Sequence, residues 1–579
     1  MTILHNIRTH VQQAYTEFAA TARATAARLL RHGSCAIQNN TSMNHHRPLF
    51  VLAIAAILLI GPQVKAARAL IHGPLVVTSE GWLRGLPRPG GGAEFLGIPY
   101  AQPPVGPLRW RAPLPVKPWR GVRPAVTFGH PCAQPPLGPW NQHAAATGRE
   151  NCLFLNVIVP RWPVKKPLPV MFWIHGGANI GGSGVGPLYN AGTLVDHGVI
   201  LVTINYRLGI FGFLATPALS RESRHHASGD YGLMDQILAL KWVRANIARF
   251  GGDPHNITVF GQSAGGTDTG LLMASRARSL FQRAIEESGT PFIPPLDSLR
   301  KAERAGARLL AALGVPPGAA GIAALRRIPA PTLIARMAAL PRGKLAFPQP
   351  DVDGWVIRRV PLATFAAGRE APVPLLFGTT TREMNFPMPV GMIRATIRRT
   401  TGPLAPRVLA LYGFAHGGQG TSSPEYGSGV NQWLADVTFR CPAVLEARWH
   451  TAAHHIAYEY QFDHPLPGQP FAVHSSELPY VFGFFPAPGT DSDPIGESAA
   501  HFTRADRSLS RLMQRYWTNF ARTGDPNGPR LPEWPAFGTR QRYIQFLKDG
   551  HVALASHIRR AQCSLFRAAM LRLMRRRIR

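Results

Sequence analysis

The sequence predicts an α/β fold built on a mostly parallel central sheet, and three observations carry the prediction. Compact apolar runs rich in β-branched and aromatic residues recur: Val170–Ile174, Val199–Ile204 and Ile257–Phe260. Runs of this length without polar alternation fit strands buried on both faces, the situation in a parallel sheet. A helical stretch separates the last two runs, and glycines end the elements. Taken in order, Val170–Ile174 stops at His175-Gly176-Gly177. After Val199–Ile204, residues 233–250 place Ile237, Leu240, Trp242, Val243 and Ile247 on one helical face, with Gly251-Gly252 as the stop. Ile257–Phe260 ends at Gly261, and Ala264–Ala274 continues as a second helix. Strand, helix, strand in this order argues for α/β. Stretches 85–92 and 412–428 are rich in Pro and Gly and are expected as surface loops. No internal repeat appears, so residues 70–579 are expected to form one large domain.

Composition limits the function classes. The 579 residues are 45% hydrophobic and 9% aromatic, enough for a sizeable core, which excludes overall disorder. The net charge is +32, and of 63 basic residues 55 are Arg and eight Lys. A basic excess suits nucleic acid, an anionic surface or an acidic substrate. Here the charge is dispersed, and no zinc-finger spacing, Walker A loop or RNA-binding signature accompanies it, so no nucleic-acid partner is expected.

The first 69 residues read as an address. From Met43, a charged start at Arg47 precedes a 12-residue apolar run, Leu49–Ile60, and small residues follow up to Ala69. That is the three-part pattern of a secretory signal peptide, residues 43–69, and the run is short of the ~20 residues that span a bilayer. Residues 1–42 are expected to be an upstream extension from a start codon assigned too early. Export to the periplasm or the medium follows, the alternative being an uncleaved signal-anchor. Without the leader the body holds 56 basic against 30 acidic residues, a net of +26 that favours anionic esters or an anionic surface. Loss of Cys35 with the leader leaves Cys132, Cys152, Cys441 and Cys563, an even set with three pairings, suited to an oxidising compartment. Their spacing fits no metal site, and neither a metal nor a cofactor is expected.

The sharpest chemical feature is Gly261-Gln262-Ser263-Ala264-Gly265. A G-x-S-x-G between strand and helix is the setting of a nucleophile elbow, where small neighbours let a tight turn lift the hydroxyl of Ser263 out of the sheet. His175-Gly176-Gly177-Ala178 follows the earlier strand. Small residues there let backbone N–H groups approach the oxygen on which a tetrahedral intermediate places its charge, the donors being Gly177, Ala178 and Ala264. A third member, an acid between the nucleophile and a histidine, has several candidates by residue chemistry alone: Glu286, Glu287, Glu383 and Asp436.

Longer stretches resemble one family. They include EFLGIPYAQPPVGPLRWRAPLPVKPW from Glu94, ENCLFLNV from Glu150, WIHGGANIGGSG from Trp173 and NYRLGIFGFL from Asn205. GDYGLMDQILALKWVRANIARFGGDPHNITVFGQSAGG from Gly229, AVHSSELPYVFG from Ala472 and YWTNFARTGDPN from Tyr516 complete the set. Over roughly 500 residues the chain is similar to the type-B carboxylesterase/lipase family, which includes cholinesterases and bacterial p-nitrobenzyl esterase-like enzymes. The resemblance implies an α/β-hydrolase fold and a Ser-Glu-His triad. His474 in VHSSELPYVFG matches the family's histidine. Glu383, in a G-x-x-x-x-E setting just past the apolar run Val373–Phe377, matches its acid, with Asp436 in DVTFRCP as the other candidate. Ser288 in EESGT resembles a family residue beside the acid, or else caps a helix. The resemblance also implies disulfides Cys132–Cys152 and Cys441–Cys563, and a structural ion pair of Arg109 with Glu150.

Some positions depart from the family. Gln262 stands where cholinesterases carry a Glu, which leaves little attraction for a quaternary ammonium. Trp140, between the paired cysteines, resembles the choline-stacking tryptophan only loosely and is read as loop packing. Asn179 replaces a usual aromatic and is expected to reshape the acyl side of the pocket. Asn151 replaces an Asp at a structural position. At the C-terminus, residues 564–579 form a basic amphipathic helix: Leu565, Phe566, Ala569, Met570, Leu573 and Met574 lie on one stripe among arginines. Such a helix either lies weakly on an anionic membrane or docks on the body. The expectation is a secreted serine carboxylesterase acting on a small-molecule ester. The alternatives are a lipase or polyester hydrolase of the same family, and a cholinesterase-like binding module without activity.

Overall fold

Alternation along one strand sorts the core into its two halves. In Leu168–Ile174, the residues Val170, Phe172 and Ile174 pack with Leu233, Leu240 and Val243, whereas Met171 and Trp173 turn to the other face with Met513, Trp517 and Phe520. Successive side chains of a strand point to opposite faces, so an unbroken apolar run requires cover on both. The computed structural model describes residues 73–190, 192–340, 347–384, 388–485 and 501–578. The expected leader at 43–69 and the extension 1–42 lie outside the described residues. Among those described, no helix is long and apolar enough to cross a membrane.

The sheet has eleven strands: β1 (Leu86–Arg88), β2 (Gly92–Pro99), β3 (Phe154–Val159), β4 (Leu168–Ile174), β5 (Ile200–Ile204), β6 (Gly252–Gln262), β7 (Arg283–Glu287), β8 (Leu375–Thr380), β9 (Ala457–Phe462), β10 (Arg542–Phe546) and β11 (Val552–Ser556). Their order is β11-β10-β9-β8-β7-β6-β4-β5-β3-β2-β1. The block from β10 to β5 is parallel throughout. Antiparallel strands close both edges, β11 on one side and β3, β2 and β1 on the other. This is the expected α/β-hydrolase architecture.

The helices that matter for the site are α1 (Tyr231–Asn246), α2 (Ala264–Ala274), α3 (Cys441–Ala452), α4 (Arg504–Thr523) and α5 (Arg560–Ile578). α1 continues as a 3-10 turn over Ile247–Phe250 and stops at Gly251 with φ +85°, where a glycine is favoured. α4 begins with a capping box: Asp506 N–H donates to Thr503 Oγ1, and Thr503 N–H donates to Asp506 Oδ2.

Two expectations are corrected. Residues 85–92 are not simply a loop, because Leu86–Arg88 forms the edge strand β1. Pro87 signalled a loop, but on an edge strand no ladder partner needs its missing N–H. The C-terminal helix begins at Arg560, four residues earlier than expected; the part of its apolar stripe up to Met570 docks on the body, one of the two arrangements expected. Cys563, Ala569 and Met570 are buried, and Leu565 and Phe566 line an apolar cavity of about 230 Å3 with Val408, Tyr412 and Trp433. The stripe faces the body as far as Met570, whereas Leu573 is 41% exposed.

Candidate active site

The site gathers at the C-terminal ends of neighbouring parallel strands, where an α/β sheet collects its functional loops. Ser263 follows β6 directly and starts α2, with φ 57° and ψ −123°. The two glycines around it are required by contact rather than by flexibility. A Cβ on Gly261 would stand 2.4 Å from the Gly265 backbone, and one on Gly265 would stand 2.0 Å from the Ile174 carbonyl oxygen. The turn is held by Ser263 N–H donating to Glu287 O at 2.8 Å and by Thr267 N–H donating to Ser263 O at 2.9 Å. Ser263 is half-buried and stands at the N-cap, at the positive N-terminal end of α2.

Glu383 lies just past β8 and is buried. Its Oε1 accepts from Ser288 Oγ and from Thr380 N–H, both at 2.6 Å, and its Oε2 stands 2.6 Å from His474 Nδ1. Ser288 therefore touches the acid, as the resemblance implied, and is not a helix cap. Burial alone would lower the His474 pKa, but the hydrogen bond to Glu383 and its charge outweigh that and hold it above the usual 6.5. The other acids are engaged elsewhere. Asp436 carries ion pairs with Arg440 and Arg559 and accepts from Tyr412 OH at 2.9 Å. Glu287 accepts from Trp517 Nε1 at 2.7 Å, and burial pushes its carboxyl up to about 8. Glu286 is buried beside Glu446. Only Glu383 among the four candidates bonds His474.

The far side of the ring holds a contact that the sequence did not suggest. Gln262 Nε2 lies 3.2 Å from His474 Nε2. With Nδ1–H given to Glu383, Nε2 carries the lone pair, and the Gln262 amide donates to it. Ser263 Oγ makes no hydrogen bond among the described residues. Glu477, one turn past His474, is fully buried, neither of its oxygens has a hydrogen-bond partner among the described residues, and burial pushes its carboxyl well above the usual carboxylate range.

Facing Ser263 is the loop after β4. Gly176 packs so closely that a Cβ there would lie 2.6 Å from Gln262 O and 3.1 Å from Ser263 Cβ. Gly177 has φ +111° and Ala178 φ +55°, and neither N–H takes part in a hydrogen bond among the described residues. Ala264 opens α2, so its N–H has no intrahelical acceptor. Asn179, expected to reshape the acyl side of the pocket, is turned into a buried polar network. It is buried, donates to Asp268 Oδ1 at 3.0 Å, and accepts from Tyr206 OH at 3.1 Å. Gln236 donates to the other Asp268 oxygen at 2.6 Å, and burial raises that carboxyl to about 7. The Asn anchors the loop from beneath, a role that needs an amide where an aromatic would pack. Trp140 is 38% exposed, and its ring lies against Gly177, so it borders the open side of this loop.

The remaining expected features are structural. Disulfides join Cys132 to Cys152 and Cys441 to Cys563. Arg109 pairs with both oxygens of Glu150 and also donates to the carbonyls of Leu325 and Ile328. Asn151 is exposed, so losing the usual Asp charge leaves nothing buried unpaired.

Known proteins share sequence and fold with most of the chain. The carboxylesterase family profile matches residues 72–566. The chain is 35% identical over 513 residues to a fumonisin B1 esterase of Sphingopyxis macrogoltabida, covering 85% of this chain and 90% of that one. It is 32% identical over 512 residues to human cocaine esterase, covering 81% and 86%. Among solved structures, a thermophilic PNB esterase superposes with a TM-score of 0.74 at 33% identity, over 86% of this chain and all of that one. A Geobacillus stearothermophilus carboxylesterase gives 0.72 at 34%, over 86% and 99%. The chain belongs to the carboxylesterase family, as a carboxylic ester hydrolase of the α/β-hydrolase fold.

Proposed function

We propose that the protein is a serine carboxylesterase that works through an acyl-enzyme on Ser263. The observation that carries this reading is the line of Glu383, His474 and the elbow: a buried carboxylate 2.6 Å from one ring nitrogen, with the other nitrogen turned toward the nucleophile's turn. Ser263 Oγ attacks the ester carbonyl while its proton passes to His474 Nε2. The negative oxygen of the tetrahedral intermediate is taken by the N–H groups of Gly177, Ala178 and Ala264, which have no other acceptor among the described residues. His474 returns the proton to the leaving alcohol. Water then attacks the acyl-enzyme, His474 acting first as base and then as acid, and the carboxylic acid leaves. Glu383 holds the Nδ1–H tautomer and stabilises the imidazolium without taking the proton. Contacts between nucleophile and base tighten as substrate enters, and here that step includes displacing the Gln262 amide from Nε2. Hydrolysis of p-nitrophenyl esters, from acetate to long acyl chains, beside Ser263→Ala tests the reading. Turnover lost in the variant supports it; absence of turnover across the series in folded, oxidised parent contradicts it.

We infer further that the protein is exported. The three-part pattern at 43–69 and two disulfides support this. Cell fractionation with N-terminal sequencing should find the protein outside the cytoplasm and starting between Lys65 and Leu70; an intact leader in the membrane fraction contradicts it.

A further inference from the structure

At the opposite end of the parallel block lies a second cluster of histidine and glutamate that the ester chemistry does not use. Glu370 sits in the loop entering β8, His450 on the last turn of α3, and His455 just before β9. The side chains of Glu370 and His450 are fully buried, and that of His455 is 18% exposed. Glu383, by contrast, lies beyond the far end of β8. The six residues of that strand span about 20 Å at roughly 3.3 Å each.

The donor atoms converge, and two of them, Glu370 Oε2 and His455 Nδ1, have no hydrogen-bond partner among the described residues. His450 Nε2 lies 2.8 Å from Val373 O, and a carbonyl can only accept, so Nε2 carries the proton. In the neutral ring, Nδ1 then presents its lone pair to Glu370 Oε1 at 3.0 Å. His455 Nδ1 stands 3.4 Å from the same oxygen but makes no hydrogen bond, and Glu370 Oε2 has no hydrogen-bond partner among the described residues. Two ring nitrogens and a carboxylate, all within 4.8 Å of one another, thus face a common point from a buried wall. Electron-rich atoms brought together out of water need a positive charge between them.

We propose that Glu370, His450 and His455 form a binding site for a divalent transition metal of the Zn(II) type. Imidazole nitrogen and carboxylate oxygen are the ligands that such an ion takes. Ligand bonds of about 2.0–2.1 Å in a tetrahedron place neighbouring donors about 3.3 Å apart. The 3.0 and 3.4 Å separations bracket that edge. The bond from His450 Nε2–H to Val373 O is the outer contact that fixes a ligating ring, leaving Nδ1 free for the metal. The exposed edge of His455 is the route of entry and leaves a fourth position to water. Bound there, the metal ties the loop ahead of β8 to the end of α3 and the start of β9, far from Ser263, which makes it a structural clip. The pattern is not legible in the sequence, because Glu370 is 80 residues from His450 and the two histidines stand five apart across a helix end.

The test uses the full chain, stripped with a chelator and titrated with Zn(II) against a chromogenic competitor, with bound metal measured by mass spectrometry. One Zn(II) per chain is expected. His455→Gln, at the exposed edge where folding is least at risk, should weaken binding by at least about tenfold. His454→Gln, an exposed neighbour outside the cluster, should leave it unchanged. Failure to retain one equivalent, or equal affinity in His455→Gln and the parent, overturns the site and leaves an imidazolium–carboxylate ion pair. The readout needs no ester turnover, so it is independent of the proposed function.

Discussion

The parallel block carries a His–Glu pair at each end, and the two are alike in chemistry but differ in their surroundings. At the C-terminal ends, His474 Nδ1 lies 2.6 Å from Glu383; at the N-terminal ends, His450 Nδ1 lies 3.0 Å from Glu370. Both carboxylates are fully buried. The difference lies in the second ring nitrogen. His474 is 27% exposed and turns Nε2 toward Gln262 and the Ser263 elbow, whereas His450 is fully buried and spends Nε2 on the Val373 carbonyl. An imidazole moves protons only if one nitrogen is fixed and the other is free to exchange. Strand polarity decides which pair has that freedom, since the C-terminal ends open into the loops that bind substrate.

The largest expected effect breaks the first pair's partner. Ser263→Ala should lower kcat/KM for p-nitrophenyl acetate by a factor on the order of 10⁶ while leaving the melting temperature close to the parent's. Glu383→Gln should cost roughly 10⁴-fold, because the ring loses its tautomer and its counter-charge. The same variant sharpens the comparison through pH. On the proposed mechanism His474 must be neutral to accept the Ser263 proton, and its pKa is held above 6.5, so the acidic limb of kcat/KM should lie above 6.5 in the parent. Removing the Glu383 charge should move that limb to lower pH; an unmoved limb would show that another group sets it. Asp436→Asn separates a structural acid from the one proposed to be catalytic. It strips a buried carboxylate of the charge that pairs with Arg440 and Arg559, and about 3–5 kcal/mol of stability should be lost in denaturant melts, with the acidic limb unchanged. Replacing Cys132 and Cys152 by Ala opens a loop of sequence separation 20 and should cost about 3 kcal/mol by the same measure. The smallest change is Gln262→Leu, which removes one hydrogen bond at Nε2 and should alter kcat/KM by about tenfold or less.

The sequence was most readable where local geometry forces residue type. Gly261 and Gly265 leave no room for a Cβ, so the elbow announces itself, and α2 has the expected bounds Ala264–Ala274. Buried parallel strands such as β4 and β5 read as apolar runs because both faces are covered. Glu383, His474 and the cysteine pairs were reached through family resemblance, since residue chemistry left four acids and three pairings open. Contacts that join distant segments left no local trace. Asn179 meets Asp268 from 89 positions away, and Gln262 meets His474 from 212. β1 was hidden because Pro87 is a loop signal everywhere except at an edge.

The central claim is that Ser263 becomes acylated by the ester. Titration of the full chain with diethyl p-nitrophenyl phosphate, followed by peptide mass spectrometry, tests it most directly. The account predicts one p-nitrophenolate released per chain, a diethylphosphoryl group on the peptide that holds Ser263, and no release from Ser263→Ala. Release that persists in Ser263→Ala, or a label on any other residue, would contradict it.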